Sequence, residues 1–423
     1  MKLLLVTQYY YPFIGGVETH VRQVAQEFLR QGHEVEIVAA TFSPCPLSAR
    51  NAVLYFNLLT PAYESYQDGE IKVHALTPTP ADRLRMLPIA VRALPKIGGK
   101  FYTPLNRFGY PFYKAVFFDR FKALMKEVDV VHSLAGNYLG WTAQAAAQAL
   151  KIPFVCTPFV HPHQWGDDPV SIEYYQRSDA VIGLLKSDRD YLESIGVPGE
   201  NLHTIGVSPD LPASADPVGF RQRHGLGNEP VVLYTGRMMP QKGAQALLKA
   251  TQKVWEINPQ VRFVFIGPHT VDSQHWFDQI DDRIQYLGRV SQQEKADALA
   301  ACDVFCMPSM SEILPTVYLE AWSLGKPVIG GYAEGLPELI EGNHAGIAVS
   351  QDSNEIAAAI VKVIQDSAFG KELGRSGQAL VEAQYSVPAV VNQLRYLYGI
   401  LQLNQHHFQQ SSSLIQSLKG VTE

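Results

Sequence analysis

"KLLLVTQY" (residues 2–9), "GVETHVRQVAQEFLRQG" (16–32) and "HEVEIVAA" (33–40) open the chain. The first and third are short apolar runs of strand length. In the second, Val17, Val21, Val24 and Phe28 recur at helical spacing. Strand, helix and strand in this order form a βαβ unit, which predicts a parallel sheet covered on both faces. "DVVHSL" (129–134), "PFVCTPF" (153–159) and "DAVIGL" (179–184) continue the alternation. Residues 206–230, "GVSPDLPASADPVGFRQRHGLGNEP", are rich in Pro, Gly and Ser and interrupt it. It then restarts with "PVVLYTG", "VRFVFIG", "IQYLG", "DVFCMPS", "KPVIGG" and "AGIAV", followed by three helical segments from about 353 to 405. The expected fold class is α/β, with two doubly wound domains in tandem. They are placed at 1–206 and 231–405, with a linker at 207–230 and a polar tail at 406–423. Ligands are expected at the carboxyl ends of the strands and in a cleft between the domains.

The bulk composition narrows the function. A chain of 423 residues exceeds what one core spans, and 46% apolar with 18% charged residues is ordinary globular usage. A net charge of -6 argues against nucleic acid as a partner. Four scattered cysteines (Cys45, Cys156, Cys302, Cys306) make no disulfide framework, and Cys302 and Cys306 flank a strand start, where small apolar packing outweighs metal binding. No stretch approaches the roughly 18 apolar residues of a spanning helix, so a cytoplasmic protein is expected, soluble or attached to a membrane surface.

Two turns carry the candidate chemistry. "PSMSEILPTVYLEAW" (308–322) reads as strand end, loop and helix, with Pro315 suited to the first helical turn and Gly325 to the residue past its end. Glu312 then lies in the loop and Glu320 on the helix, both facing one crevice. "LYTGRMMPQKGAQALL" (233–248) puts Arg237 and Lys242 five residues apart across another such turn, where two cations beside exposed amides can neutralise a diphosphate. A surface Arg and Lys are more often simply solvated. Gly15 and Gly16 precede the first helix and leave the backbone open to a substrate, without the spacing of a dinucleotide fingerprint or P-loop. Asp188 and Asp190 in "SDRDYLES" have a metal-site spacing, but carboxylates in a first helical turn are ordinary dipole complements.

"GGVETH", "GRMMPQKG", "SEILPTVYLEAWSLGKPVI" and "EGLPELIEGNHAGIAV" resemble, in that order, the signature blocks of retaining GT-B glycosyltransferases of the fourth family. The resemblance covers residues 1 to about 390. It implies GT-B architecture, two Rossmann-like domains with a cleft between them, and transfer of a sugar from a nucleotide diphosphate sugar with retention. No essential metal or other cofactor is implied. Carried onto this chain, Glu320 would accept from the ribose hydroxyls and Glu312 would face the transferred sugar. Arg237 and Lys242 would hold the diphosphate, helped by the amides of Leu314 and Thr316. Gly15, Gly16 and Ile313 complete the implied donor contacts. Relatives often carry Gly where this chain has Ile313 and Pro315, a departure that bears on the loop's contacts and the donor preferred. The family also supplies a histidine near the transferred sugar, for which His161 matches better than His132.

The acceptor would be a sugar, a glycan or a lipid. Residues 83–126 hold ten Lys and Arg against one acid, Asp119, a local charge of +9 that leaves -15 for the rest. In a helix expected after Pro111, Lys114, Phe118, Lys122 and Lys126 share one face, opposite Tyr113, Phe117, Phe121 and Leu124. Such a stripe suits an anionic membrane surface on the cytoplasmic side, whereas its plain reading is a solvated face. Two competitors remain: a disaccharide phosphorylase or synthase of the same fold, and a non-catalytic two-domain protein closing on a small ligand.

Overall fold

The computed structural model describes residues 1–13, 15–47, 52–93, 101–278 and 280–419, with side chains for all of these but Tyr102 and 406–419. It divides into two compact units. The first is Met1–Ile205 with Val390–Glu423, and the second is Gly206–Ala389.

The first unit is built on eight strands: β1 (Lys2–Tyr9), β2 (Glu34–Thr41), β3 (Tyr66–Asp68), β4 (Ile71–Ala75), β5 (Val130–Ser133), β6 (Phe154–Cys156), β7 (Ala180–Gly183) and β8 (Leu202–Thr204). Their order is β3-β4-β2-β1-β5-β6-β7-β8. All pairings are parallel except β3 with β4 at the edge, which corrects the expectation of a wholly parallel sheet. The central strand β1 is buried from Leu3 to Val6, because helices cover both faces. The Gly16–Arg30 helix turns Val21, Val24 and Phe28 inward as its spacing predicts. The Tyr102–Leu124 helix does the same with Tyr113, Phe117 and Phe121, each worth roughly 2–3 kcal/mol of burial. This helix does not start after Pro111 but carries it inside, and these three buried rings anchor the half downstream of the proline.

The second unit carries β9 (Val231–Thr235), β10 (Arg262–Ile266), β11 (Ile284–Gly288), β12 (Val304–Met307), β13 (Val328–Gly330) and β14 (Gly346–Ala348). All are parallel, in the order β11-β10-β9-β12-β13-β14. This is the doubly wound order, in which the chain reverses direction across the sheet between β9 and β12.

The segment read as a linker is part of the second unit. Pro217–Arg223 forms a helix capped by Asp216, and Arg223 pairs with Glu294 and Asp297 at 2.8 Å each. The three C-terminal helical segments are Ser353–Gln365, Ser367–Leu380 and Val387–Lys419, and the last belongs to the first unit from Val390 onward. There Tyr398 is fully buried, stacked on Phe28 and donating or accepting at His132 Nδ1 over 2.7 Å. Helix therefore extends through most of the expected polar tail, of which 420–423 lie outside the described residues.

Candidate functional site

In the second unit the turns after β9 and β12 leave adjacent strands at the switch point, where a doubly wound sheet opens a crevice. Arg237 and Lys242 lie on the first turn and Glu312 on the second. The two turns are tied together: the Met310 amide donates to Gln241 O at 2.8 Å, and Gln351 Nε2 donates to Pro240 O and Pro308 O at 2.9 and 3.0 Å. Gly243 makes the closeness possible. Its φ is +85°, and a Cβ there would come within 2.5 Å of Pro308 O.

Lys242 Nζ donates to Glu312 Oε1 at 2.6 Å and to Ser311 O at 2.9 Å, which uses two of the three N–H bonds of its ammonium. Both side chains are largely shielded, so the pair is held rather than loosely solvated. Arg237 is exposed, and no carboxylate among the described residues pairs with it. The structure thus brings Lys242 and Glu312 together directly.

Pro315 is the residue before the helix Thr316–Ser323 rather than within its first turn, and Gly325 follows the end at φ +67°. Among the described residues nothing accepts from the amides of Leu314 and Thr316. Leu314 is buried, with Ile313 and Thr316 half-buried beside it. Tyr318 fixes the helix from beneath, its hydroxyl donating to Met307 O at 2.6 Å and accepting from the Gly331 amide at 3.3 Å.

Glu320 is 2% exposed. Its Oε1 accepts from Lys295 Nζ at 2.7 Å, while among the described residues no donor meets its buried Oε2 in hydrogen-bond geometry, the Asp210 amide acting on the carboxylate without doing so. Burial pushes the carboxyl up to about 7; Lys295 opposes that shift, while Asp210 adds to it through its charge and opposes it through its backbone amide. A buried carboxylate oxygen without a donor is costly, and a ligand hydroxyl would relieve it. Glu312 and Glu320 consequently have separate partners, on the β9 turn and on the Gln292–Ala301 helix.

The remaining candidates belong to the first unit. Gly15 caps the Gly16–Arg30 helix, and a Cβ there would come within 2.4 Å of Glu18 Oε2; at Gly16 a Cβ would meet nothing within 4 Å. Gly16 is therefore the more open of the two. His161 follows β6 in a tight turn, its amide and carbonyl paired with those of Trp165 at 3.1 Å and its ring 5.0 Å from the indole. His132 is buried, with Nδ1 at Tyr398 Oη and Nε2 at Thr157 Oγ1, both 2.7 Å, and burial pushes it down to about 3. It is a structural histidine. Asp188 accepts from the amides of Leu184 and Leu185 at 3.0 and 2.9 Å, and Asp190 pairs with Lys186. Both aspartates complete local structure.

In the basic segment, Lys114 Nζ and Lys122 Nζ lie 5.0 and 5.6 Å from the ring centre of half-buried Phe118, so the stripe exists as a cation-flanked ring. The charge it presents is smaller than the count suggests. Arg83 donates to Leu58 O and Thr60 O, Arg120 pairs with Asp82 at 2.5 Å, and Arg107 pairs with Glu173. Lys96 and Lys100 lie outside the described residues. Leu84, Leu87, Phe101 and Phe108 are exposed in the same segment.

Lys295 and Asp210 are neighbours of Glu320 that the sequence does not announce. Lys295 looks like any helix-surface lysine, and Asp210 lies in the stretch read as linker. Only the crossover order of the sheet brings them to Glu320.

A family model described as "Glycosyl transferases group 1" matches residues 229–366, and one described as "Glycosyl transferase 4-like domain" matches 15–207. The chain is 29% identical over 280 residues to the GDP-mannose-dependent monoacylated alpha-(1-6)-phosphatidylinositol monomannoside mannosyltransferase of Corynebacterium glutamicum, covering 62% of this chain and 74% of that one. It is 27% identical over 208 residues to the D-inositol 3-phosphate glycosyltransferase of Stackebrandtia nassauensis, covering 45% of this chain and about half, 47%, of that one. Its fold is that of Anabaena HepE crystallised with UDP, at a TM-score of 0.68 and 19% identity over 94% of this chain and 100% of that one.

Proposed function

The chain belongs to the glycosyl transferases group 1 family and is a glycosyltransferase of GT-B fold, and on that premise we propose how its residues divide the work of transfer from a nucleotide diphosphate sugar. The observation that carries the reading is the switch-point cluster, where Lys242 is held against Glu312 and, among the described residues, no donor meets one buried oxygen of Glu320 in hydrogen-bond geometry. Arg237 and the third N–H of Lys242 neutralise the diphosphate, with the amides of Leu314 and Thr316. Glu312, oriented by Lys242, accepts from hydroxyls of the transferred sugar, and Glu320 accepts from the ribose.

The bond from the anomeric carbon to the diphosphate oxygen breaks, and its electron pair stays on the diphosphate. The acceptor hydroxyl oxygen bonds to that carbon from the same face, its proton passing to the departing oxygen, so configuration is retained. Stabilising the leaving group is the main task, and two cations supply the positive charge without calling on a metal. The two curated relatives named above act on phosphatidylinositol mannoside and inositol phosphate acceptors, and the basic stripe with its exposed Leu84, Leu87 and Phe108 suits an acceptor presented at an anionic membrane surface. No helix among the described residues is long and apolar enough to cross a membrane.

A panel of UDP-, GDP- and ADP-sugars tests this reading through release of nucleoside diphosphate. At least one donor should be consumed, and Lys242→Ala should slow that reaction about a hundredfold, the loss of roughly 3 kcal/mol expected for one leaving-group contact. Unchanged turnover in Lys242→Ala would remove the leaving-group role, and release of sugar phosphate instead would identify a phosphorylase.

A further inference from the structure

A cavity of about 240 Å³ lies within the first unit among the helices Tyr102–Leu124, Tyr138–Leu150 and Pro169–Gln176. Arg107, Lys114 and Arg177 line it, together with the rings of Tyr110, Trp141 and Tyr174. Glu173, also in the wall, pairs with Arg107, so three cations against one carboxylate leave the wall at +2. Among the described residues no carboxylate pairs with Lys114 or Arg177. Trp141 is 7% exposed, and among the described residues its buried indole Nε1–H has no acceptor.

Several donors in the wall are already used, Gln148 Nε2 among them, which donates to Arg177 O at 3.0 Å. Tyr110 Oη donates to Trp141 O at 2.9 Å, and Gln144 Nε2 donates to Tyr174 O at 2.7 Å and Ser178 Oγ at 2.9 Å. Lys114, Arg177 and the Trp141 N–H leave donors and a net positive charge on the wall beside the neutral amide oxygens of Gln144 and Gln148, and the matching ligand supplies acceptors and negative charge. Tyr110 and Trp141 meet edge to face at 5.6 Å and offer aromatic surface to a short carbon skeleton. The volume falls below the roughly 300 Å³ at which sites for drug-sized ligands begin, so it suits a small phosphate ester and not a nucleotide sugar.

We propose that this cavity is a second binding site, for a phosphomonoester, with Lys114, Arg177 and the Trp141 indole N–H on its oxygens and the Tyr110 and Trp141 rings against its carbon skeleton. The ester is either free or the headgroup of a lipid, and the chemistry recognised is the same. The site does not depend on the donor reading, and binding is measured without nucleotide sugar.

Calorimetry on the full chain uses glycerol 3-phosphate as the free ester and monomeric dihexanoyl phosphatidic acid as the lipid headgroup. At least one should bind saturably, and whichever binds identifies the source. The Lys114→Gln, Arg177→Gln double variant should bind at least about tenfold more weakly, since two charge-assisted contacts are lost. Trp141→Phe should weaken binding as well, while a Lys122→Gln, Lys126→Gln double variant of equal charge should bind like wild type. Lys114 gives up its contact with the Phe118 ring in this variant, so its melting temperature is measured beside the wild type's, and weaker binding with unchanged melting is a loss of the site and not of the fold. Absence of saturable binding by both probes, equal binding in the cavity variant, or equal loss in the Lys122, Lys126 variant would each overturn the proposal.

Discussion

Glu320 is the residue at which burial, charge and binding meet. Its carboxyl is pushed up to about 7 in the folded chain, well above its ordinary value, so the folded state holds the proton more tightly than the unfolded one. As pH rises from the ordinary carboxylate range through 7, the free protein loses stability, on the order of 3 kcal/mol if the full shift is realised. A nucleotide whose ribose hydroxyls donate to the carboxylate favours the ionised form. Its affinity should therefore be full above pH 7 and fall with acidification, by at most about tenfold per pH unit. Calorimetry of the product nucleoside diphosphate at pH 6 and pH 8 checks this. The wild type should gain more affinity between pH 6 and pH 8 than Glu320→Gln, whose remaining slope is that of the nucleotide's own terminal phosphate, which loses a proton at about pH 6; equal slopes in the two proteins would place the titrating group elsewhere. The sequence showed the glutamate, through its place on a helix after a strand-end loop. It could not show the burial or Lys295, because a side chain's depth is set by the helix packed over it and its partner lies 25 residues away.

At the scale of elements, the site depends on two turns brought within contact at the switch point. Gly243 has φ +85° and no room for a Cβ beside Pro308 O, so Gly243→Ala must either strain the backbone or push the turns apart. A loss of roughly 2–4 kcal/mol is expected, read as a lower melting temperature, together with reduced turnover because Lys242 is the preceding residue. A variant that melts and turns over like wild type would mean the turns are not coupled. Strands were the most legible elements. Each of "PVVLYTG", "VRFVFIG", "IQYLG", "DVFCMPS", "KPVIGG" and "AGIAV" contains a strand of the second sheet, since short apolar runs bounded by Gly or Pro have few other uses. The short strands β3, β4 and β8 escaped because each offers few apolar residues: β4 shows only Ile71 and Val73 about an exposed Lys72, and the edge strands β3 and β8 are three residues each. Pro111 misled by its usual role as a helix boundary, and 206–230 by composition, although Asp216 and Pro217 together are an ordinary cap and first turn.

For the molecule as a whole, what remains is where it works and what it makes. If the acceptor is presented on a membrane, the face carrying Lys114, Lys122 and Lys126 should direct the enzyme there. At low salt the wild type should sediment with vesicles of phosphatidylcholine and phosphatidylglycerol but not with phosphatidylcholine alone, and a triple Glu variant of those lysines should stay in the supernatant. Equal, negligible binding in every combination would leave a soluble acceptor. The pairing of domains was legible from the repeated alternation and the Pro- and Gly-rich break. The return of the chain to the first unit from Val390 was not, because an amphipathic helix does not encode which sheet it will cover.

The central claim is same-face transfer of the sugar driven by a stabilised leaving diphosphate. Proton NMR of the first-formed product, followed from an α-linked nucleotide sugar in the presence of acceptor, tests it most directly. Same-face transfer gives an α-linked product appearing together with free nucleoside diphosphate; a β-linked product would contradict it.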